Sequence, residues 1–219
     1  MKKTLSCLLA LLLGGSLLTG CSGHDDPFTQ KHYTSEGQPI SAVSIDVRDR
    51  QVEVTPSSDE QIHIDYFESS QEYYHISVSE DHVLTMTAAS DKEWTDYIGG
   101  KASADVRKIS LQVPDALLGT LKIATTNEDI SVAALSLTGD VSLTANGGSI
   151  SFESLRVGKD IALDVKNGSI SGAISGSYDD YAISCKIKKG KSNLPADKEK
   201  GSRKLSVAAN NGDVTIDFT

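Results

Sequence analysis

A repeat of 20 residues, which begins after Pro114, constrains the fold of this chain more than any other feature. The same residue types return at the same position in each copy. A fixed period of this length is typical of a solenoid, in which each coil buries its apolar face only against its neighbours. The apolar columns are Leu121, Val141 and Ile161; Ile123, Leu143, Leu163 and Ile183; Thr125, Ala145, Val165 and Cys185; Ile130, Ile150 and Ile170; and Leu135 with Leu155.

Polar positions repeat as well. Ser131, Ser151 and Ser171 follow the isoleucine column, and a last copy, displaced by four inserted residues, runs from Leu205 to Ile216. Asn and Gly tolerate positive φ and therefore permit a sharp turn at one point of every coil. Stacked turns about 4.8 Å apart would let Asn side chains hydrogen-bond along the column. The repeated turns are 127–129, 147–149, 167–169 and 211–213.

The part of the chain before the repeat alternates apolar and polar residues, as in Val43, Ile45 and Val47. This period of two is typical of half-buried strands. We therefore predict an all-β chain with a single β-solenoid domain over residues 39–219, made of a strand-rich part (39–114) and repeated coils (115–219). A meander of hairpins would also use Asn-Gly turns. The equal spacing of every apolar column favours parallel stacking.

The first 20 residues are typical of a bacterial lipoprotein signal peptide. Lys2 and Lys3 precede an apolar run from Leu5 to Leu18, which is short for a bilayer span. The run ends in Leu-Thr-Gly before Cys21, which resembles a lipobox and implies lipidation of Cys21. We expect residues 21–38 to form a flexible tether, since they are polar and lack an apolar period. The expected location is the extracytoplasmic face of a bacterial membrane.

Three segments resemble the DUF4097 family of putative adhesins. They are residues 109–114 (ISLQVP), 121–132 (LKIATTNEDISV) and 209–216 (ANNGDVTI). The similarity extends over residues 40–218. It implies a β-solenoid domain of the bacterial cell envelope with an adhesin-like role. Glu128 departs from the glycine that the family usually carries at that turn.

The composition excludes several classes of protein. The chain has 219 residues and a net charge of -9, whereas a nucleic-acid-binding protein would be basic. Without residues 1–20, 19 basic and 30 acidic residues remain, which gives -11. Three cysteines are too few for a disulfide framework. We therefore expect no nucleic-acid partner.

No group of residues in the sequence predicts catalysis, a metal or a cofactor. All five histidines precede the repeats and lack the paired spacing of zinc ligands, and His63 should face solvent between two apolar neighbours. Cys185 lies in an apolar column and should be buried. Asp160 and Asp164 lie on one coil, and their expected neighbours Asp140, Thr144 and Ser184 form only a weak cluster. We predict a non-enzyme; a carbohydrate-active β-helix is the third hypothesis.

Two segments are candidate binding surfaces. Trp94 and Tyr97, between strand patterns, could stack on sugars or cap an open edge of the solenoid. Residues 186–204 hold eight basic and two acidic side chains, a net charge of +6. This basic segment could bind anionic lipid or polymer, or discourage pairing at a solenoid end. Its basic residues are Lys186, Lys188, Lys189, Lys191, Lys198, Lys200, Arg203 and Lys204.

These features predict a non-catalytic, lipid-anchored envelope protein. Its first expected function is adhesin-like binding or scaffolding, with an envelope polymer or a surface protein as partner in addition to the membrane. The alternative is an accessory sensor of envelope stress that binds anionic lipid or polymer. The sequence does not predict an oligomeric state.

Overall fold

The structure, a computed structural model, describes residues 27–90 and 101–219. These residues form a solenoid of two sheets whose inward side chains share one hydrophobic core. No helix within the two ranges is long and apolar enough to cross a bilayer. The all-β solenoid predicted from the sequence is confirmed.

Sheet A has the strand order β1-β4-β7-β3-β9-β12-β14-β18, and β10 also pairs with β12. Its strands are β1 (Thr29–Thr34), β3 (Gln51–Pro56), β4 (His63–Glu68), β7 (Lys108–Val113), β9 (Ile130–Val132), β10 (Leu135–Leu137), β12 (Ile150–Val157), β14 (Ile170–Ile174) and β18 (Val214–Phe218).

Sheet B has the order β16-β15-β17-β13-β11-β8-β2-β6-β5. Its strands are β2 (Ala42–Asp46), β5 (Glu72–Val78), β6 (Val83–Ser90), β8 (Thr120–Thr125), β11 (Val141–Ala145), β13 (Ile161–Asn167), β15 (Tyr181–Lys189), β16 (Asp197–Lys198) and β17 (Arg203–Asn211). Two short 3-10 helices, Ala104–Arg107 and Tyr178–Asp180, precede β7 and β15.

The 20-residue repeat sets the register of the central coils. Val141 pairs with both Leu121 and Ile161, and Ile150 with both Ile130 and Ile170, all in parallel. Each of these side chains is almost fully buried. Parallel stacking is therefore confirmed, and the hairpin alternative is wrong for these coils.

The turns between the two sheets stack as tightly as the sequence predicts. A Cβ atom on Gly168 would lie 2.1 Å from the carbonyl oxygen of Gly148, and one on Gly212 would lie 1.9 Å from that of Gly168. Only glycine permits this approach. Beside this column Asn211 Nδ2 donates to Asn167 Oδ1 at 2.6 Å, which confirms an Asn contact between coils.

The order of the coils at the carboxyl end differs from the order in the chain. Strand β17 lies between β13 and β15, so the coil formed last, β17–β18, is enclosed by an earlier strand. Lysines dominate the second half of β15, and a lysine-rich strand is tolerated at a sheet edge, where its charges reach water. The neighbour of Asp164 on this side is consequently Ala208, and the expected neighbour Ser184 was wrong.

The amino-terminal end is built in the same manner. Strands β2 and β3 form a coil that lies between the β6–β7 pair and the β8–β9 pair. Antiparallel strands then close this end, β1 and β4 in sheet A and β5 in sheet B. The expectation of a flexible tether over residues 21–38 is wrong for Thr29–Thr34, because the backbone of this segment pairs with β4. Glu128, which replaces glycine in the first repeated turn, forms ion pairs with Arg107 and Lys101. The column of stacked turns (127–129, 147–149, 167–169 and 211–213), which we call the turn column, therefore begins with a charged contact.

Candidate functional site

A shallow, open groove with a volume of about 600 Å³ crosses the outer face of sheet A along the solenoid axis. Its floor carries equivalent residues of successive strands: Ser131, Ser151, Ser171 and Thr215, which are neighbours in register. We call these four residues the hydroxyl column. Neighbouring strands are about 4.8 Å apart, so the column presents hydroxyl groups at that interval.

Small residues and a strand irregularity shape the groove. Ala133 and Ala173 line it, and they leave space beside the hydroxyl column. The register of β12 against β14 shifts between Phe152 and Leu155, and such bulges redirect side chains. Glu153 lies in this shifted segment and is exposed at the groove.

Three carboxylates border the hydroxyl column, namely those of Glu53, Glu153 and Asp217. They belong to β3, β12 and β18, and no two of these three strands are adjacent. Strands two positions apart are separated by about 10 Å. The three carboxylates therefore lie on alternate strands, where their oxygens can accept hydrogen bonds from a ligand on the column.

The basic segment lies at the carboxyl end of the solenoid, and two of its members bind within the domain. Lys198 Nζ donates to the carbonyl oxygen of Tyr181 at 2.7 Å and lies 4.8 Å from the ring centroid of Tyr178. Arg203 donates to the carbonyl oxygen of Val157 at 2.6 Å. The other six are exposed: Lys186, Lys188, Lys189, Lys191, Lys200 and Lys204. Their binding to an anionic surface remains a prediction.

Sheet A separates this basic end from β1, the strand nearest the amino terminus. Seven strand spacings lie between β1 and β18, or about 34 Å. Cys21, the predicted lipidation site, and the aromatic residues Trp94 and Tyr97 lie outside the described residues, and their roles remain predictions.

Two histidines meet at the amino-terminal end, where sequence spacing alone indicated no contact. The rings of His32 and His63 stack with centroids 5.7 Å apart, and both bind the Thr34 hydroxyl, at 2.8 and 3.2 Å. His63 points outward, as expected for its place in the strand, but β1 covers it and leaves its side chain 18% exposed. Within residues 27–90 and 101–219, no cluster of His, Cys, Asp and Glu is arranged to hold a metal.

Carboxylates next to these histidines hold them in place. His32 Nδ1 lies 2.8 Å from Asp65 Oδ1, and His63 Nε2 lies 2.9 Å from Asp59 Oδ1. The hydrogen bond from His63 lowers the pKa of the Asp59 carboxyl group. The outcome is a continuous side-chain network across β1 and β4.

Asp160, one of the two carboxylates considered for catalysis, has a structural role. Its Oδ1 accepts a hydrogen bond from the backbone of Lys204 at 2.8 Å, and its own backbone donates to Asp140 Oδ1 at 3.1 Å. These contacts join three coils at one corner. Cys185 is buried, as predicted, with its Sγ 3.5 Å from Ser192 Oγ.

The repeated coils, their turn column and the sequence pattern agree with one known family. The model of Toastrack DUF4097 matches residues 40–217. The chain belongs to the Toastrack DUF4097 family. This family assignment agrees with the resemblance found in residues 109–114, 121–132 and 209–216.

A solved structure shows the same fold as this Toastrack DUF4097 chain. It is that of a putative cell adhesion protein from Clostridium sporogenes, with a TM-score of 0.61, 7% identity and coverage of 88% of this chain and 100% of the other. A putative adhesin from Bacteroides fragilis gives a TM-score of 0.41, 11% identity and coverage of 89% and 98%. No curated protein matches the chain.

The hydroxyl column was visible in the sequence as a repeat but not as a site. Ser131, Ser151 and Ser171 align at an interval of 20, and outward serines are common on any solvated solenoid face. What distinguishes this column is the groove, which depends on the small residues beside it and on the bulge in β12. Neither feature follows from the apolar columns of the repeat.

Proposed function

We propose that this protein is a non-catalytic binding module of the bacterial cell envelope that holds an extended polymer in the groove of sheet A. The observation that carries this proposal is the hydroxyl column, in which four successive strands present the same chemistry along the solenoid axis. A ligand with a repeating structure gains a similar contact from each coil.

The chemistry of the column favours a glycan. A hydroxyl group donates one hydrogen bond and accepts others, which matches the hydroxyl groups of a sugar chain. Single contacts of this kind contribute about 0.5–1.5 kcal/mol each, so several must act together. A groove open along its length accommodates a polymer of any length, as an adhesin-like or scaffolding role requires.

The rim sets the charge of the ligand. Glu153 and Asp217 flank the floor and would repel an anionic polymer, whereas Glu53, at the end of the column beside Ser131, is ion-paired with Lys108. Their oxygens accept hydrogen bonds from hydroxyl and amide groups. The proposed ligand is therefore a neutral glycan, with or without acetamido groups.

The predicted lipid at Cys21 completes the proposal. Six residues lie between Cys21 and Phe28, and the seven steps from one to the other reach at most about 25 Å when extended. Such a tether would keep the solenoid beside the membrane while the groove faces the envelope polymers. Mass spectrometry of the purified protein tests this part, because diacylation must appear on a peptide that begins at Cys21.

The groove is tested by replacing its hydroxyl groups. The triple variant Ser131→Val, Ser151→Val and Ser171→Val keeps residues suited to strands and removes three members of the column. We expect retention on immobilised neutral envelope polysaccharide to fall at least tenfold, measured by affinity chromatography of the full chain.

A matched control lies on the other sheet. Ser142 and Ser206 occupy outward positions of β11 and β17 in sheet B, away from the groove. The variant Ser142→Val with Ser206→Val should bind like the natural protein. Equal losses in both variants, or no loss in the triple variant, would refute binding at the groove.

A further inference from the structure

Two segments of opposite charge lie at the two ends of sheet B. Residues 57–82, which include β4, β5 and the loops around them, contain seven carboxylates and neither Lys nor Arg. We call this segment the acidic end. At the opposite end, the basic segment carries a net charge of +6. Glu72 is paired with Arg50, and Arg203 is paired with Asp180, so six carboxylates of the acidic end face a net charge of about +5 from the rest of the basic segment.

From this complementarity we infer that copies of this protein associate head to tail, with the acidic end of one copy against the basic end of the next. This interaction is independent of the groove. Contacts between two acidic or two basic ends are repelled, so only unlike ends attract. A contact between unlike ends is heterologous and continues into a linear assembly.

The charges also agree in position, corner by corner. Strand pairing runs without interruption through sheet B, so residues at the same level of each strand lie along one line parallel to the axis. At the corner where β2, β8 and β17 begin, the acidic end exposes Glu80 and Asp81, and the basic end exposes Lys200 and Lys204. Translation along the axis brings these pairs together.

Acidic and basic residues also match at the opposite corner, where the sheet B strands end. Glu68 is half-buried and lies at the turn that joins β4 to β5, level with the end of the sheet B strands. Its Oε1 accepts a hydrogen bond from the Tyr74 amide at 3.0 Å. Lys188 and Lys189 lie at the end of β15, at the same level of the sheet. Two separate corners with matching charges define an orientation as well as an attraction.

The edge strands at the two ends of sheet B could pair between copies. Strand β5 is terminal in sheet B and has seven residues, whereas β16, terminal at the other end, has two. Strand β16 pairs only with Ile183 and Ser184, so the segment Lys186–Lys189 of β15 extends beyond it. Lysines on an edge discourage pairing with most chains. The acidic end of a second copy would instead attract these lysines.

The assembly has a predictable repeat. Sheet B contains nine strands, so each copy adds about 43 Å to a continuous stack. Negative-stain electron microscopy of the full chain in mild detergent at about 0.01 M salt should show short filaments with this axial repeat. At about 1 M salt, where screening extends only about 3 Å, the filaments should dissociate.

Charge exchange gives the decisive test, measured as the dissociation constant by sedimentation velocity. The variant Glu80→Lys with Asp81→Lys should weaken association at least tenfold, and so should Lys200→Glu with Lys204→Glu. A mixture of the two variants retains one normal contact and one exchanged contact. The chain that combines all four changes should associate within threefold of the natural protein.

The control reverses an equal number of charges far from the ends. Lys122→Glu with Lys166→Glu lies on β8 and β13 in the middle of sheet B and should leave association unchanged. Circular dichroism and thermal unfolding verify that each variant is folded. A monomer at low salt, or association that the four-fold exchange fails to restore, would overturn the inference. Binding of the basic end to anionic phosphatidylglycerol vesicles without self-association would also overturn it.

Discussion

The two ends of the solenoid use the same device in different surroundings. Each end has an arginine near a tyrosine ring and an acidic residue. Arg50 donates to Tyr74 Oη and to Glu72 Oε2, both at 2.6 Å, and its side chain is 4% exposed. Arg203 lies 4.4 Å from the ring centroid of Tyr181, donates to Asp180 Oδ2 at 2.7 Å and is 20% exposed.

The two arginine side chains differ in burial, and this difference indicates how strongly each end depends on its arginine. At the amino-terminal end the cation is sealed inside, where it also donates to the carbonyl oxygen of Asp49 at 3.2 Å. At the carboxyl end the cation is partly hydrated and its partner Asp180 is 45% exposed. A buried charge depends on every partner, whereas a hydrated one does not. We therefore expect the amino-terminal end to tolerate substitution less well.

The largest predicted effect follows directly. Arg50→Met should lower the free energy of unfolding by about 3–5 kcal/mol, because it breaks a buried ion pair and its hydrogen bonds. Arg203→Met should cost about 1–2 kcal/mol, since its ion pair is partly screened by water. Urea denaturation of both variants measures the two values.

Lys101→Met is the control for the loss of one positive charge, because that side chain is 51% exposed. It should change stability by less than about 1 kcal/mol. An equal or larger loss in Arg203→Met than in Arg50→Met would show that burial does not distinguish the two ends.

The centre of the solenoid provides the next test, because its stability depends on repeated close contacts and not on single arginines. Gly168→Ala would place a Cβ atom 2.1 Å from the carbonyl oxygen of Gly148. Relief of this contact must shift the turn, at a cost of about 2–3 kcal/mol. Thermal unfolding followed by circular dichroism provides the measurement.

Gly37→Ala is the control for Gly168→Ala, because it changes the backbone preference without creating a close contact. Gly37 has a φ of 75° and nothing near its missing Cβ, so only the backbone preference is affected. That cost is about 1 kcal/mol, and the lower entropy of the unfolded chain offsets part of it. If both glycine variants lose the same stability, the close packing of the turn column does not matter.

Two tyrosines, one at each end, should make the free energy of unfolding fall as the pH rises above about 10, and to different extents. Burial, and next the negative charge of Glu68, raises the pKa of Tyr66 to about 12. Burial also raises the pKa of Tyr181, but the positive charge of Arg203 opposes this shift. A phenol whose pKa is raised by folding stabilises the fold fully below its unfolded pKa of about 10. Stability is then lost as the pH rises from about 10 to 12.

Removal of each phenol should expose this difference. Tyr66→Phe should flatten the decline of stability between pH 10 and about 12, and Tyr181→Phe should flatten it less. Chemical denaturation at several pH values measures both slopes. A steeper effect of Tyr181→Phe would contradict the assigned role of Arg203.

The sequence predicted the repeated centre well and the ends poorly, for a physical reason. In the centre, each coil repeats the same inward residues, so Leu121, Val141 and Ile161 determine both burial and register. At the ends, β15 and β17 carry similar apolar columns, and period alone does not decide which lies outside. That choice depends on which edge exposes its lysines.

The candidate functional residues also fall into two groups, those that the repeat reveals and those that only tertiary packing brings together. Ser151 and Ser171 belong to the repeat and are visible in the sequence, but the register shift of β12 beside them has no counterpart in the apolar columns. The contact of His32 with His63 requires the antiparallel pairing of β1 with β4, which joins residues 31 positions apart. Pairings of this kind are set by tertiary packing and leave no local pattern.

The last prediction concerns how sheet A ends. At the amino-terminal end a six-residue strand, β1, covers the sheet. At the carboxyl end the side chain of Asn193 takes part of that role: its Nδ2 donates to the carbonyl oxygen of Ile216 at 2.9 Å, and its Oδ1 accepts from the Ile216 amide at 3.0 Å. Asn193→Ala should cost about 1–2 kcal/mol, because two hydrogen bonds are lost. Asn193→Asp keeps the acceptor but places a carboxylate oxygen beside the Ile216 carbonyl oxygen and Asp217 Oδ1, so it should be no more stable than Asn193→Ala in urea denaturation. Hydrogen exchange at the Ile216 amide should accelerate in Asn193→Ala, and an unchanged rate would mean that the side chain does not protect this edge.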